Sequence, residues 1–213
     1  HGLIFEADVL PGIRIGQQGG NPGGARALGN QILGFGDGLN RLFNPLLFDG
    51  DDFIDAAFLK HLLDASDRGA SDLTVAGKLF CDRFPPDKIP ALPTCGIFLR
   101  REFPLKNNLE FPEGIHPCED GLFSHFVLAL TEKISFCPEA VYHYRQHEQG
   151  NHHQIRKRTA DILPMIPRWL SLIEEFYEQR HLWKRKAGHL VRFIEHEPFE
   201  LRLLGMPFSP PEQ

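Results

Sequence analysis

The chain has 213 residues, 42% of them hydrophobic and 24% charged, with a formal net charge of −5. That is the balance of an ordinary globular protein, with room for one large domain or one domain and an appendage. A net acidic chain offers no global electrostatic case for a nucleic-acid partner, and no apolar run approaches the length that spans a bilayer. Cys81, Cys95, Cys118 and Cys137 are widely spaced, with no C-x-x-C pair, and read as reduced, packed thiols. With no signal peptide at its start, the expected location is the cytoplasm.

In chain order, Gly2–Ala7 reads as a strand ending at the acidic residues Glu6 and Asp8, and Ile13–Ile15 as a second short strand. Gly19 to Gly29 is a glycine-rich turn entering a helix. Exposed amides at such a start favour a phosphate, and Arg26 adds a charge one turn in. The turn, with Gly23 at its centre, matches neither G-x-G-x-x-G nor a Walker loop, and a surface loop explains it equally well. Residues 30–45 lean towards a helix leading into the next strand. Ala56 to Asp64 has apolar residues at helical spacing. Asp72–Phe80 reads as a strand, the prolines 85, 86, 90 and 93 mark a rigid connection, and Gly96–Arg101 reads as a strand or short helix ending in two arginines. Alternating strand and helix signals predict an α/β sandwich with a largely parallel sheet.

Two acidic stretches carry the candidate chemistry. Leu46-Leu47-Phe48 reads as the end of a buried strand that delivers Asp49, Asp51 and Asp52 into a turn opened by Gly50. Carboxylates this close repel one another unless a cation sits among them, and hard oxygen ligands suit Mg²⁺ or Mn²⁺. An acidic, solvated turn is the plainer explanation of the same residues. Downstream, a Pro/Gly loop ends at Glu119-Asp120, followed by an apolar helix containing Leu122, Phe123, Phe126, Val127 and Leu130. The pair can serve as helix caps or, at a pocket floor, as a base for an acceptor hydroxyl.

After Lys133–Pro138, alternation in Ala140–His147 puts Val141, His143, Arg145 and His147 on one face. Arg145 suits a diphosphate clamp, and His147 either a metal shell or solvent. From Gln154 the chain reads as helical to its end, with breaks at Pro164, Pro167 and Pro198. The basic clusters Arg156-Lys157-Arg158 and Lys184-Arg185-Lys186 read as solvated faces, with contact to an anionic acceptor or a membrane surface as the lesser option.

Taken together, Asn21–Gly29, Phe48-Asp49-Gly50-Asp51-Asp52, Arg100–Phe103, Phe111–Gly114, Glu119–Phe123 and Tyr142–Arg145 resemble a family 2 inverting glycosyltransferase of the GT-A fold. The resemblance covers roughly Leu3 to Asn151. It implies a Rossmann-like α/β domain over 1–153, with a mixed, largely parallel sheet flanked by helices and a helical C-terminal extension over 154–213 packed on it. It further implies Asp51 as principal metal ligand, Asp49 on the metal or ribose, and His147 on the metal or a phosphate. Asp120 would be the catalytic base and Glu119 its neighbour, with Arg145 on the diphosphate. Glu6, Asp8, Gly23 and Arg26 would line the nucleotide-sugar.

The implied activity is transfer of a hexosyl or N-acetylhexosaminyl group from a UDP-sugar to a saccharide or other hydroxyl acceptor, with Mn²⁺ or Mg²⁺. The family's first strand and helix have no counterpart ahead of His1, which predicts an open nucleotide pocket. Ala25-Arg26-Ala27 stands where Ala-Arg-Asn is usual, and the stretch from Gly29 to Phe48 is long. These departures suit a rival expectation, a nucleotide- or carbohydrate-binding protein without turnover. A metal-dependent phosphoester hydrolase is a third reading of the same carboxylates.

Overall fold

A computed structural model describes residues 31–32, 47–48, 53–54, 56–143 and 159–205. The expected strands at Gly2–Ala7 and Ile13–Ile15 and the glycine-rich turn lie outside these residues. Gln31–Ile32 (β1) is a strand rather than the start of a helix, and it pairs antiparallel with Leu47–Phe48 (β2). Phe53–Ile54 (β3) pairs antiparallel with Tyr142–His143 (β7).

The central sheet has three strands in the order β5-β4-β6, formed by Ile97–Leu99, Leu73–Ala76 and Ile134–Cys137. β4 runs antiparallel to β5 and parallel to β6. The molecule is thus α/β, but the expectation of a largely parallel sheet is not met among the described residues, where β4–β6 is the one parallel ladder. The alternation of helix and strand signals misled here. It gave no weight to an antiparallel return of β5 onto β4, reached through the helix Lys78–Arg83, the proline-rich stretch and the 3₁₀ turn Thr94–Gly96.

The strand expected over Asp72–Phe80 stops at Ala76. Gly77 has φ +86°, a conformation that favours glycine, and it turns the chain into the helix Lys78–Arg83 (α2). The sheet is covered on both faces, following the two-residue period of its side chains. Ala76, Phe98 and Cys137 point towards the helix Ala56–Gly69 (α1), packing with Phe58, Leu62 and Ala65. Leu73, Val75, Ile97 and Leu99 point the other way, into a larger core with Leu122 and Val127 of the helix Glu119–Leu130 (α4).

A short helix, Glu102–Asn107 (α3), follows β5. Arg100 ties the start of β4 to the end of α1, donating from Nε to the Ser71 carbonyl (3.1 Å) and from Nη2 to the Ser66 carbonyl (3.4 Å). Its role here is structural: a cation on the carbonyls that end a helix.

The same larger core takes in the C-terminal helices. Thr159–Ile162 (α5) leads through a 3₁₀ turn, Leu163–Met165, into Ile166–Gln179 (α6). Trp183–Ile194 (α7) follows. Trp169, Ile173, Tyr177, Leu182 and Phe193 are buried against α4 and the sheet. Pro167 does not break α6; it sits in the first turn, where its missing N–H costs nothing. Nor does Pro198 end the chain's last helix. The chain continues from α7 into a π-helical segment, Glu195–Leu204, whose wider i→i+5 turn carries the proline.

Every side chain of α4 from Gly121 to Ala129 is buried, so its polar members need internal partners. Ser124 Oγ accepts from the Leu92 amide (2.8 Å) and donates to the Gly121 carbonyl (3.1 Å). His125 Nδ1 faces the Pro90 carbonyl (3.1 Å), His125 Nε2 faces the Tyr177 hydroxyl (3.1 Å), and that hydroxyl faces His189 Nδ1 (3.3 Å). Burial pushes the pKa of His125 well below its usual value, with His189 adding to the effect, so the ring is neutral.

The carbonyl can only accept, so His125 carries its proton on Nδ1 and Tyr177 must donate to Nε2. His189 then donates from Nδ1 to the tyrosine oxygen. Replacing Tyr177 by Phe leaves two ring nitrogens unpartnered in the core. The expected loss is about 1–3 kcal/mol of unfolding free energy, read from urea denaturation, and a loss below the error of the fit would refute the ordered chain.

Candidate active site

Cys118 precedes α4 with φ +85°, a left-handed conformation uncommon for a residue with a Cβ, and it turns the chain so that the helix opens at Glu119. Glu119 and Asp120 therefore stand in the first turn, where the helix dipole favours negative charge. The N-cap position is Cys118 and makes no side-chain cap, but Asp120 Oδ1 accepts from the Gly121 amide (2.8 Å), one of the first-turn donors. Glu119 faces outward and lies 3.3 Å from His116 Nδ1.

Asp120 is only partly exposed, and its pKa is raised to about 6. Burial is the main cause, followed by repulsion from Glu119 and Glu197; the Gly121 amide and Arg202 act in the opposite direction. A carboxylate of this strength is largely ionised at neutral pH and a better base than an ordinary aspartate. The carboxylate is thus chemically able to take up a proton near neutral pH.

The floor of the site comes from the π-helical segment. Glu197 and Arg202 form a nearly buried ion pair, Nη2 to Oε2 3.0 Å, five residues apart. That separation lines up on a π-helical turn and not on an α-helical one. The Cys118 thiol donates to Glu197 Oε2 (3.5 Å), and burial followed by the Glu197 charge pushes its pKa well up, which keeps it protonated. Arg202 also lies over the Trp169 ring, 5.8 Å from its centroid.

Gly121 makes this packing possible. A Cβ there would stand 3.0 Å from Cys118 Sγ and 3.1 Å from Glu197 Oε1. No sequence signal marks the pair, because a helical period of 3.6 sets Glu197 and Arg202 on different faces and Pro198 reads as a break.

Of the residues expected to form the site, Glu119 and Asp120 stand together. Glu6, Asp8, Gly23, Arg26, Asp49, Asp51, Arg145 and His147 lie outside the described residues. Their described neighbours do meet. Phe53, which follows Asp52, pairs with His143, two residues before Arg145. β2, which ends one residue before Asp49, packs against the 3₁₀ turn Thr94–Gly96, and that turn also contacts α4. Among the described residues, no group of three or more His, Cys, Asp or Glu is placed to hold a metal ion, and no helix is long and apolar enough to cross a membrane. No protein-family model and no curated protein matches the chain.

The raised pKa of Asp120 has a defined sign in stability. The folded chain holds this proton more tightly than the unfolded one, whose carboxyl titrates near 3.8. The contribution is full below that value and is lost as pH rises through about 6. Asp120→Asn removes the titration. Relative to the variant, the native chain should lose on the order of 3 kcal/mol between these limits, measured by urea unfolding across the range. Parallel curves for the two proteins would show that Asp120 is not perturbed.

Proposed function

We propose that this chain is a GT-A-like inverting glycosyltransferase in which Asp120 is the base that deprotonates an acceptor hydroxyl. The observation that carries the reading is the Asp120 carboxylate at the open end of a buried helix, held at a pKa near 6 beside Glu119. The oxygen freed by Asp120 attacks the anomeric carbon of a nucleotide-sugar from the face opposite the diphosphate. The bond to the diphosphate breaks with its electron pair, and the anomeric configuration inverts.

Glu119, beside the base, orients the acceptor hydroxyl. Arg145 offers paired donors to the departing diphosphate. Mn²⁺ or Mg²⁺, with Asp49, Asp51 and His147 as the expected ligands, would supply further neutralisation of that charge. Two features support bringing these residues to one cleft. The stretch after Asp52 and the stretch before Arg145 share the β3–β7 ladder, and the strand before Asp49 reaches the turn that touches α4. A UDP-sugar is the expected donor and a saccharide hydroxyl the expected acceptor.

UDP release from a panel of UDP-sugars, with Mn²⁺ and hydroxyl acceptors, tests the proposal. Asp120→Asn should retain UDP binding by calorimetry while the transfer rate falls by about 10²–10⁴. For the native chain, kcat/KM should rise with pH and level off above about 6, as the base loses its proton. UDP binding without turnover across the panel would favour the binding-protein alternative. Absence of UDP binding would sink both.

A further inference from the structure

A second site lies at the other end of α4. A cavity of about 420 Å³ is bounded by Leu128, the stretch Thr131–Ile134, the loop Pro86–Ile89 and one face of α7. Eight residues of helix separate Leu128 from Asp120, roughly 12 Å along the axis, so this is not the acceptor side of the site described above. Its volume falls in the range of small-molecule pockets.

Three cations from α7 line the cavity: Arg185, Lys186 and Arg192. Two of them stand in the first turn of that helix, which contains Lys184 as well and no acidic residue. The helix is kinked at Lys186 (φ −123°, ψ 15°), and the cations clustered there repel one another, which a bound anion relieves. The opposing carboxylates are Asp87 and Glu132, and Lys186 Nζ already lies 3.4 Å from Glu132 Oε1.

Two polar atoms of the lining residues are buried without a protein partner. Arg192 donates from Nη2 to the Asp87 carbonyl (3.0 Å), but its Nε–H has no acceptor. His189, only 7% exposed, has its Nδ1 committed to Tyr177 and its Nε2 unpartnered. The Ile89 carbonyl also faces this ring, and Nε2 is sealed inside the core. His189 stays neutral, its pKa drawn down to about 4 by burial and then by Arg192 and Lys186, with the Ile89 carbonyl acting weakly the other way.

The cavity thus suits a ligand with several anionic oxygens. A carboxylate has too few oxygens for two guanidinium groups and an ammonium, whereas a phosphate has three and matches the fork of arginine. The apolar wall of Ile89, Leu128 and Ile134 leaves room for a ring-sized body. We infer that this cavity binds a small phosphomonoester, its phosphate among Arg185, Lys186 and Arg192 and its body against Ile89, Leu128 and Ile134. Nothing in this depends on the role of Asp120.

Calorimetry on the 213-residue chain with glucose 6-phosphate, inorganic phosphate and glucose, at constant ionic strength, tests the inference. Glucose 6-phosphate should bind more tightly than inorganic phosphate, and glucose not at all. Arg185→Gln, at an exposed position that leaves folding intact, should weaken binding of the sugar phosphate about tenfold. Arg192→Lys should also weaken it, because the charge is kept and the planar fork lost. Three outcomes would overturn the inference. These are no heat with either phosphate, inorganic phosphate binding as tightly as the sugar phosphate, or the same weakening from Lys60→Gln on the exposed side of α1, across the sheet, which would reveal only diffuse charge attraction.

Discussion

Helix α4 has no face turned to water from Gly121 to Ala129, and that constraint organises the molecule. A helix apolar all round has to be enclosed, here by the sheet on one side and by α6, α7 and the π-helical segment on the other. Enclosure also dictates what its polar residues do. Ser124 is bonded to Leu92 and Gly121, and His125 to Pro90 and Tyr177. Only the ends of α4 meet the surface, and the two candidate sites lie at those ends. The carboxylates of the first turn supply one, and a cation-lined cavity beyond Leu128 supplies the other.

The chain of ring nitrogens and hydroxyl through the core has a rigidifying role. Each of its bonds fixes the proton of the next, so His125, Tyr177 and His189 have one self-consistent arrangement with neutral rings. The stacking of His125 on His189, 4.2 Å between centroids and 9° between planes, holds the order in place. A buried polar network of this kind specifies one packing of α6 and α7 on α4 where an all-apolar contact would tolerate several.

Much of this was readable from the residues. The run Ala56-Ala57-Phe58-Leu59-Lys60-His61-Leu62-Leu63 shows α1 through its period, and Glu119-Asp120 ahead of Leu122-Phe123 marks the start of α4. Pro85 to Pro93 reads as the connection it is. What escaped was decided by single residues or by contacts distant in sequence. Gly77 ends β4 four residues earlier than the apolar run suggests, through a backbone angle that composition does not reveal. A mixed sheet is expected, but not that antiparallel pairing prevails; the return of β5 onto β4 has no local signature. Glu197 and Arg202 follow a π-helical spacing, and His125, Tyr177 and His189 are 12 to 64 positions apart, so no window on the sequence joins them.

The Glu197 carboxylate, packed on the bare Cα of Gly121, has one more consequence. It helps hold the proton on Asp120, and such influence runs in both directions by thermodynamic necessity. Protonating Asp120 must strengthen the seating of the 195–204 segment, and lifting that segment away must return the aspartate towards an ordinary acid. The strength of the base and the docking of the last helical turns are therefore a single coupled equilibrium.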